Sequence, residues 1–447
     1  MPEDTPTTAG TRSHAGPSRP SDTRPGGPAA DVDATRADFA VGVHESVGGL
    51  RTPGEVSIFV DDDARDAAER PDSDGAATRA QGVPGGGAGK GPEFAVAGFG
   101  DGFGASPVDR SALRHHGDRD VRPGMLDFAV NVRGDAPPEW LLWRLAARLP
   151  ELGRYPSEAE AEAVRAIVAA RHGRAPEEVL LLAGAAEGFA LLPRLASRLA
   201  AVIHPSFTEP ELALREADVP VARVVLAPPY ELAGARVPED ADLVVLGNPT
   251  NPTSVLHPRA VIESLRRPGR IVVVDEAFAD AVPGEPESLA GQSYPDVLVL
   301  RSLTKTWALA GLRCGYLLGP PEVLARLNHG RAHWPLGTLQ LEAIAATCEA
   351  HAIAEAEASA SRIVAEREAM IPRLRALGID VHEPATGPFL LIRVPDGELL
   401  RKHLADKNIG VRRGDTFPGL GTEFLRLAVR DHAAVDRLIA AIEAAGL

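Results

Sequence analysis

The sequence predicts an α/β protein: a large, doubly wound and mainly parallel sheet, with a smaller α+β domain beside it. Three observations carry that prediction. The short apolar runs Leu243–Leu246, Ile271–Val274 and Val297–Leu300 read as strands buried on both faces. Each hands over to polar residues, and the carboxyl ends of such strands are where open α/β sheets bind ligands. A further run, Val179–Leu182, leads through Gly184-Ala185-Ala186-Glu187-Gly188 into an apolar helix.

Taken in order, residues 1–105 are rich in Pro, Gly, Ala, Asp and Arg, with few bulky apolar positions, and Gly85-Gly86-Gly87 marks a flexible stretch. Such a composition buries too little surface to offset ordering entropy, so this arm is expected to be disordered. One alternating island, Val56-Ser57-Ile58-Phe59-Val60, has the pattern of a transient strand or a docking peptide. Residues 106–159 are expected to form the N-terminal part of the small domain. Apolar spacing is helical from Trp140 to Leu149 and from Ala159 to Ala170, with a turn at Gly153-Arg154-Tyr155-Pro156 between them. Residues 160–325 would be the large domain, and 326–447 would return to the small one. That last part reads as long helices from Leu339 to Leu377 broken near Pro372, then short strands and a final helix.

The chemistry gathers at the strand ends. Val297–Leu300 delivers Arg301-Ser302-Leu303-Thr304-Lys305, and Arg313 follows. A lysine amine forms a Schiff base when part of it is neutral, which burial and neighbouring cations promote. Ser302 and Arg313 offer a hydroxyl and a planar fork to a phosphate dianion. Ile271–Val274 ends at Asp275, a carboxylate suited to holding a pyridinium nitrogen protonated. Leu243–Leu246 runs into Gly247-Asn248-Pro249-Thr250-Asn251-Pro252. Together these groups describe a pyridoxal-phosphate site. Singly, each has a plainer reading: Lys305 as a loop lysine, Asp275 as a strand-end cap, Asn251 as a turn former, Arg313 as a surface ion-pair partner. The succession of strands ending in groups suited to one cofactor argues for the site.

From about Asp109 to Leu447 the chain resembles the fold-type I pyridoxal-phosphate enzymes of the aspartate aminotransferase superfamily. Within it, the branch of histidinol-phosphate aminotransferases and threonine-phosphate decarboxylases fits best. The resemblance implies Lys305 as the Schiff-base lysine, Asp275 as partner of the pyridine nitrogen and Asn251 as partner of the ring's phenolic oxygen. It places Ser302, Arg313 and the helix start at Ala185 and Ala186 on the cofactor phosphate, and Phe207 on the ring face. Tyr155 would reach the phosphate of a second subunit, which implies a homodimer with shared sites.

At the substrate end, Phe424–Arg430 alternates as a strand that sets Arg426 opposite its apolar neighbours. In the family this arginine grips the substrate's carboxylate or phosphate. Arg412 with Phe417-Pro418-Gly419-Leu420 resembles the decarboxylase branch. So does His115-His116-Gly117-Asp118 with the expected strand Leu126–Asn131, where His115 and Gly117 would line a substrate phosphate site. Phe278 stands where aminotransferases usually carry a tyrosine that donates to the ring oxygen. Three positions depart from the family pattern: Pro210 replaces a tyrosine, Pro388 an asparagine and Asp118 an asparagine.

These features rank decarboxylation of threonine phosphate to aminopropanol phosphate, in cobalamin biosynthesis, as the first reading. Threonine phosphate carries two anions, and Arg412 and Arg426 provide two anchors. Transamination of histidinol phosphate or another amino acid is the alternative. Histidinol phosphate needs one strong anion site and a pocket for imidazole. A non-catalytic scaffold docking through the N-terminal arm is the reading from another class. In either enzymatic case the partners expected are a small phosphorylated substrate and a second copy of the chain. A formal charge of −15 argues against nucleic acid and anionic membranes. Two cysteines, Cys314 and Cys348, and the polar start imply a reducing, cytoplasmic setting.

Overall fold

The computed structural model describes residues 110–446. The arm 1–105 and its island Val56–Val60 therefore lie outside the described residues.

A two-residue strand, β1 (Leu126–Asp127), precedes the large sheet. Seven strands make that sheet: β2 (Val179–Leu182), β3 (Ala200–His204), β4 (Val221–Val225), β5 (Leu243–Gly247), β6 (Ile271–Asp275), β7 (Val297–Ser302) and β8 (Gly315–Leu318). Their spatial order is β2-β8-β7-β6-β5-β3-β4. β8 runs antiparallel to both neighbours, and every other pairing is parallel. The apolar runs are continuous because both faces are covered. Val272, Val274, Val297 and Val299 pack in one core, while Val273, Leu298 and Leu300 pack in the core on the other face.

A smaller sheet is built from β9 (Asp380–Val381), β10 (Phe389–Arg393), β12 (Arg412–Arg413) and β13 (Phe424–Ala428), all antiparallel. Between β10 and β12, the strand β11 (Ile409–Gly410) pairs in parallel with β1, tying residues 126–127 to the C-terminal part. Leu390, Ile392, Leu425 and Leu427 form one face of this sheet's core and pack with Leu438 and Ile442 of the helix His432–Ala445.

The expected helices appear as Glu139–Arg148 and Glu158–His172. The second starts in a capping box between Ser157 and Glu160 and stops at Gly173 in the left-handed region, φ 65°. Two expectations need correction. The break in the long helical stretch falls at Cys348–Glu349, between Thr338–Thr347 and Ala350–Ala376, and Pro372 lies inside the second helix. Proline there forgoes one backbone bond, but Met370, Ile371 and Leu374 are buried in the small-sheet core and hold the last turns in place. The strand expected over Leu126–Asn131 stops after Asp127. The Asp127 carboxylate accepts from the N–H of Ala129 at 2.7 Å and of Val130 at 2.8 Å, which turns the chain. No helix among the described residues is long and apolar enough to cross a membrane.

Candidate active site

The carboxyl ends of β5, β6 and β7 open into a cavity of about 530 Å3, within the roughly 300–1,000 Å3 usual for small-molecule sites. Asn251 after β5, Asp275 at the end of β6, and Ser302 and Lys305 at and after the end of β7 all line it. Ala185, Ala186, Arg313, Phe207 and Phe278 line it too. Strand alternation sorts the side chains. Asp275 and Ser302 face the cavity, whereas Glu276 and Arg301 turn away from it and pair with each other at 3.1 Å.

Burial sets the electrostatics of this wall. The Lys305 amine is pushed down to about 8, first by burial and then by the nearby charges of Arg426 and Arg313. Asp275 is pushed up to about 7, chiefly by burial, with the charge of Glu276 adding to it and the N–H of Ala277, 3.1 Å from Oδ1, working against it. A buried carboxylate held this way is short of a cationic partner. Ser302 Oγ shares a hydrogen bond of 2.8 Å with Thr304 Oγ1.

These residues fit pyridoxal phosphate. A protonated ring nitrogen is the cation Asp275 lacks. The helix Ala185–Leu191 opens onto the cavity with first-turn N–H groups that a helix leaves without internal acceptors. Two glycines let the chain close around that point. Gly184 has φ +83°, and a Cβ there would lie 2.9 Å from Arg313 Nη2. A Cβ on Gly315 would meet Arg301 O at 2.7 Å and Ala185 N at 3.2 Å. Arg313 is thereby laid against the helix start, the arrangement a phosphate dianion requires.

The opposite wall comes from the small sheet and the segment 116–131. Arg426 on β13 is buried; its Nη1 donates to Asn251 Oδ1 at 3.0 Å and its Nη2 to Ala129 O, while its Nε has no hydrogen-bond partner. Arg412 on β12 donates through Nη2 to His115 O at 2.6 Å, and its guanidinium sits 4.8 Å from the Phe417 ring centroid. Its Nη1 lies 3.5 Å from Asp120 Oδ2 and makes no hydrogen bond. Burial, and then the like charge of Arg412, lowers Arg426 to about 9. Burial, opposed by Asp120, lowers Arg412 to about 10. Two buried guanidiniums therefore line one cavity, an arrangement able to offer positive charge to an anionic ligand.

The structure brings together nearly all the residues singled out from sequence. His115 is the correction. Its Nε2 pairs with Asp120 at 3.1 Å, behind Arg412, and His116 lines the cavity in its place, pairing through Nε2 with Glu209. The 3-10 turn Gly117–Asp120 causes this by folding Asp120 back beneath His115. Gly117 itself lines the cavity, pressed so close that a Cβ would fall 2.2 Å from Ala129 O. Tyr155 is not part of the cavity: it is 71% exposed and stacks on Trp334 with ring centroids 4.3 Å apart. Sequence reading assigned no role to Asn131, Glu209, Thr304 or Phe417, which also line the cavity. Asn131, Thr304 and Phe417 stand inside the motifs quoted above, which hinted at their place, whereas Glu209 carried no such signal.

A fold of this kind, with a buried lysine, a buried aspartate and an anion cradle at one cavity, defines a pyridoxal-phosphate enzyme. The family model for aminotransferase class I and II matches residues 124–442. A histidinol-phosphate aminotransferase of Mycobacterium tuberculosis (strain ATCC 25618 / H37Rv) is 60% identical over 332 residues, covering 74% of this chain and 90% of that protein. The threonine-phosphate decarboxylase of Salmonella typhimurium is 28% identical over 333 residues, covering 71% of this chain and 90% of that protein. The solved histidinol-phosphate aminotransferase of Clostridium acetobutylicum superposes with a TM-score of 0.66 at 23% identity, covering 72% of this chain and 98% of that one. The chain belongs to the class I and II aminotransferase family, and its cofactor is pyridoxal phosphate.

Proposed function

We propose that the protein is an aminotransferase that takes the amino group from a phosphorylated amino alcohol of the histidinol-phosphate kind and passes it to an α-keto acid. The observation that carries this reading is the pair Arg412 and Arg426, buried and incompletely bonded on the cavity that holds Lys305. Each half of such a reaction presents an anion: the donor's phosphate in one, the acceptor's carboxylate in the other. The 60% identity to a histidinol-phosphate aminotransferase, against 28% to a threonine-phosphate decarboxylase, supports transamination over the order that sequence motifs suggest.

When bound, pyridoxal phosphate supplies an electron sink that weakens the bonds at the carbon bearing the substrate's nitrogen. The protein's part is to bind, orient and move protons. With its amine lowered to about 8, Lys305 is neutral in roughly one molecule in ten at pH 7. The Lys305 amine would serve as the general base that takes a proton from the substrate carbon and as the acid that returns one. Asp275, ionised against a protonated ring nitrogen, keeps the sink strong. Arg426 and Arg412 would bind the anionic ends of the substrate and so orient its reacting carbon toward Lys305. Ser302, Arg313 and the helix start at Ala185 hold the cofactor phosphate, Asn251 the ring oxygen, and Phe207 the ring face. In this reading Tyr155 extends its exposed ring to a second copy, completing that copy's phosphate site in a homodimer.

Decarboxylation remains the second reading on one observation. Phe278, edge-on to Phe389 with ring centroids 5.0 Å apart, gives the cavity no hydroxyl where aminotransferases usually have one. The two readings separate when the purified enzyme is offered histidinol phosphate with an α-keto acid, and threonine phosphate alone. Keto product from the first without CO2 from the second is expected. CO2 from threonine phosphate with no keto product would reverse the assignment.

A further inference from the structure

Behind Phe207 runs a buried chain of hydrogen bonds to which the reaction assigns no part. β3 ends at His204, and the backbone continues through Pro205 and Ser206 to Phe207, which lines the cavity. His204 and Glu211, the latter on the helix Glu209–Glu216, are fully enclosed. His204 Nε2 lies 2.9 Å from Glu211 Oε2, and His204 Nδ1 lies 3.3 Å from Ser206 Oγ. Arg215 Nε donates to Glu211 Oε1 at 2.5 Å, and Arg223 Nε donates to the same oxygen at 2.8 Å. Ser206 and Phe207 together border a small recess with Asn251, Asp275 and Phe278, so the chain ends beside the residues assigned to the cofactor ring.

These contacts fix where the protons lie. Burial opposes charge on Glu211, but His204 and two donating guanidiniums hold its carboxyl well below the usual range, so it is ionised and only accepts. His204 Nε2 therefore carries the hydrogen of the bond between them. Burial also lowers the His204 imidazole from its ordinary value and keeps the ring neutral. Nδ1 is then bare, and it accepts from the Ser206 hydroxyl. That hydroxyl also lies 3.4 Å from Phe207 O. The other tautomer of His204 would offer Ser206 an N–H, and the hydroxyl hydrogen would turn to Phe207 O instead. Glu211 thus decides which way Ser206 bonds, one residue ahead of the ring.

Anchoring the helix on β3 does not by itself call for such a cluster, since apolar side chains of similar volume often serve as well as a buried ion pair. What they cannot do is set a tautomer. We propose that Glu211 is a positioning residue: acting through His204 and Ser206, it fixes the backbone ahead of Phe207 and so the angle at which that ring meets the cofactor. The inference rests on the reading that Phe207 packs on the cofactor ring, and it adds the residues that hold Phe207 there.

The test titrates pyridoxal phosphate into the full-length protein and reads the dissociation constant and the visible circular dichroism of the bound cofactor. Phe207→Ala sets the scale: binding should weaken about tenfold, the upper end for loss of an aromatic contact, and the dichroism should fall. Ser206→Ala removes one hydroxyl and leaves the His204–Glu211 pair in place. Glu211→Gln keeps the size of the side chain and removes its charge. Each should weaken binding about threefold, as loss of one hydrogen bond implies, and shift the dichroism in the direction of Phe207→Ala. The double variant should be no worse than the weaker-binding single one, because both changes interrupt the same chain. With Phe207→Ala effective, two results would overturn the proposal. One is a Ser206→Ala protein with unaltered affinity and dichroism, which decides the matter even where Glu211→Gln does not fold. The other is a pair of single losses that multiply in the double variant, which would show that Glu211 acts only by holding its helix. A Phe207→Ala protein that leaves both readouts untouched is a separate outcome: it would overturn the reading of Phe207, and the positioning role with it.

Discussion

The two walls of the cavity differ in how complete they are. On the side built from β5, β6, β7 and the helix Ala185–Leu191, polar groups are held by near neighbours. Ser302 bonds Thr304, Asp275 accepts from Ala277, and Arg313 donates to Ala310 O at 3.2 Å. On the side built from β12, β13 and residues 116–131, three atoms are buried without a hydrogen-bond partner: Arg412 Nη1, Arg426 Nε and Asn131 Oδ1. A wall that always faces a resident cofactor can be organised in advance by the chain. A wall that must release its ligand in every turnover is assembled from contacts between distant parts of the chain, and it leaves guanidinium groups short of their full set of partners.

The comparison breaks most sharply at Lys305. Lys305→Ala should cost at least about a thousandfold in turnover, because it removes both the covalent anchor and the proton carrier. Borohydride reduction should no longer trap cofactor on the peptide containing position 305. The same residue predicts a pH dependence. The folded-state value of the amine is lowered to about 8, so its proton is lost as pH rises through that value. Capture of added pyridoxal phosphate by cofactor-stripped protein should therefore quicken about fivefold between pH 7 and pH 8 and level off above it. A capture rate flat across that range would show that Lys305 is not the group that titrates.

The sequence makes the first wall legible because each of its parts is local. Lys305 lies three residues beyond β7, Asp275 ends β6 and Asn251 sits four residues beyond β5, so apolar runs and the polar residues that follow them are enough to order the site. The second wall depends on contacts distant in sequence. Arg426 meets Ala129 and Asn251, Arg412 meets His115, and His116 meets Glu209. Periodicity placed Arg426 on the right face of its strand, but nothing in residues 115–118 distinguishes His115 from His116. The tight turn Gly117–Asp120 decides which of them enters the cavity. Pro372 misled for a related reason: a local helix breaker is overruled by the burial of Met370, Ile371 and Leu374.

An effect of middle size sharpens the division of labour. Arg412→Ala should raise KM for a phosphorylated donor by about tenfold to a hundredfold, the range for loss of a charged hydrogen bond. The dissociation constant of pyridoxal phosphate should stay within about twofold, since Arg412 lies on the other wall from Ser302 and Arg313. Equal losses in donor and cofactor binding would mean that the walls do not act separately. Arg412→Lys should recover only part of the loss, because an ammonium cannot reproduce both the bond to His115 O and a second N–H directed at the ligand.

The smallest expected effect lies on the cofactor wall itself, at Phe278. This ring is 7% exposed and packs edge-on to Phe389, and it lines the cavity together with Asn251 and Asp275. Phe278→Tyr adds one hydroxyl at the edge of a ring already in place, so the core should accept it with a stability change within about 1 kcal/mol. With cofactor bound, that hydroxyl would donate to the ring oxygen beside Asn251 and draw away part of its negative charge. That charge is what favours a proton on the nitrogen linking Lys305 to the cofactor. The absorbance titration of the loaded protein should therefore move to lower pH, by on the order of half a unit to one unit. Turnover of histidinol phosphate should change by less than about threefold, because both arginine anchors and Asp275 are untouched. A midpoint that stays where it is would show that position 278 does not address the ring oxygen, and that the phenylalanine there fills space without tuning the site.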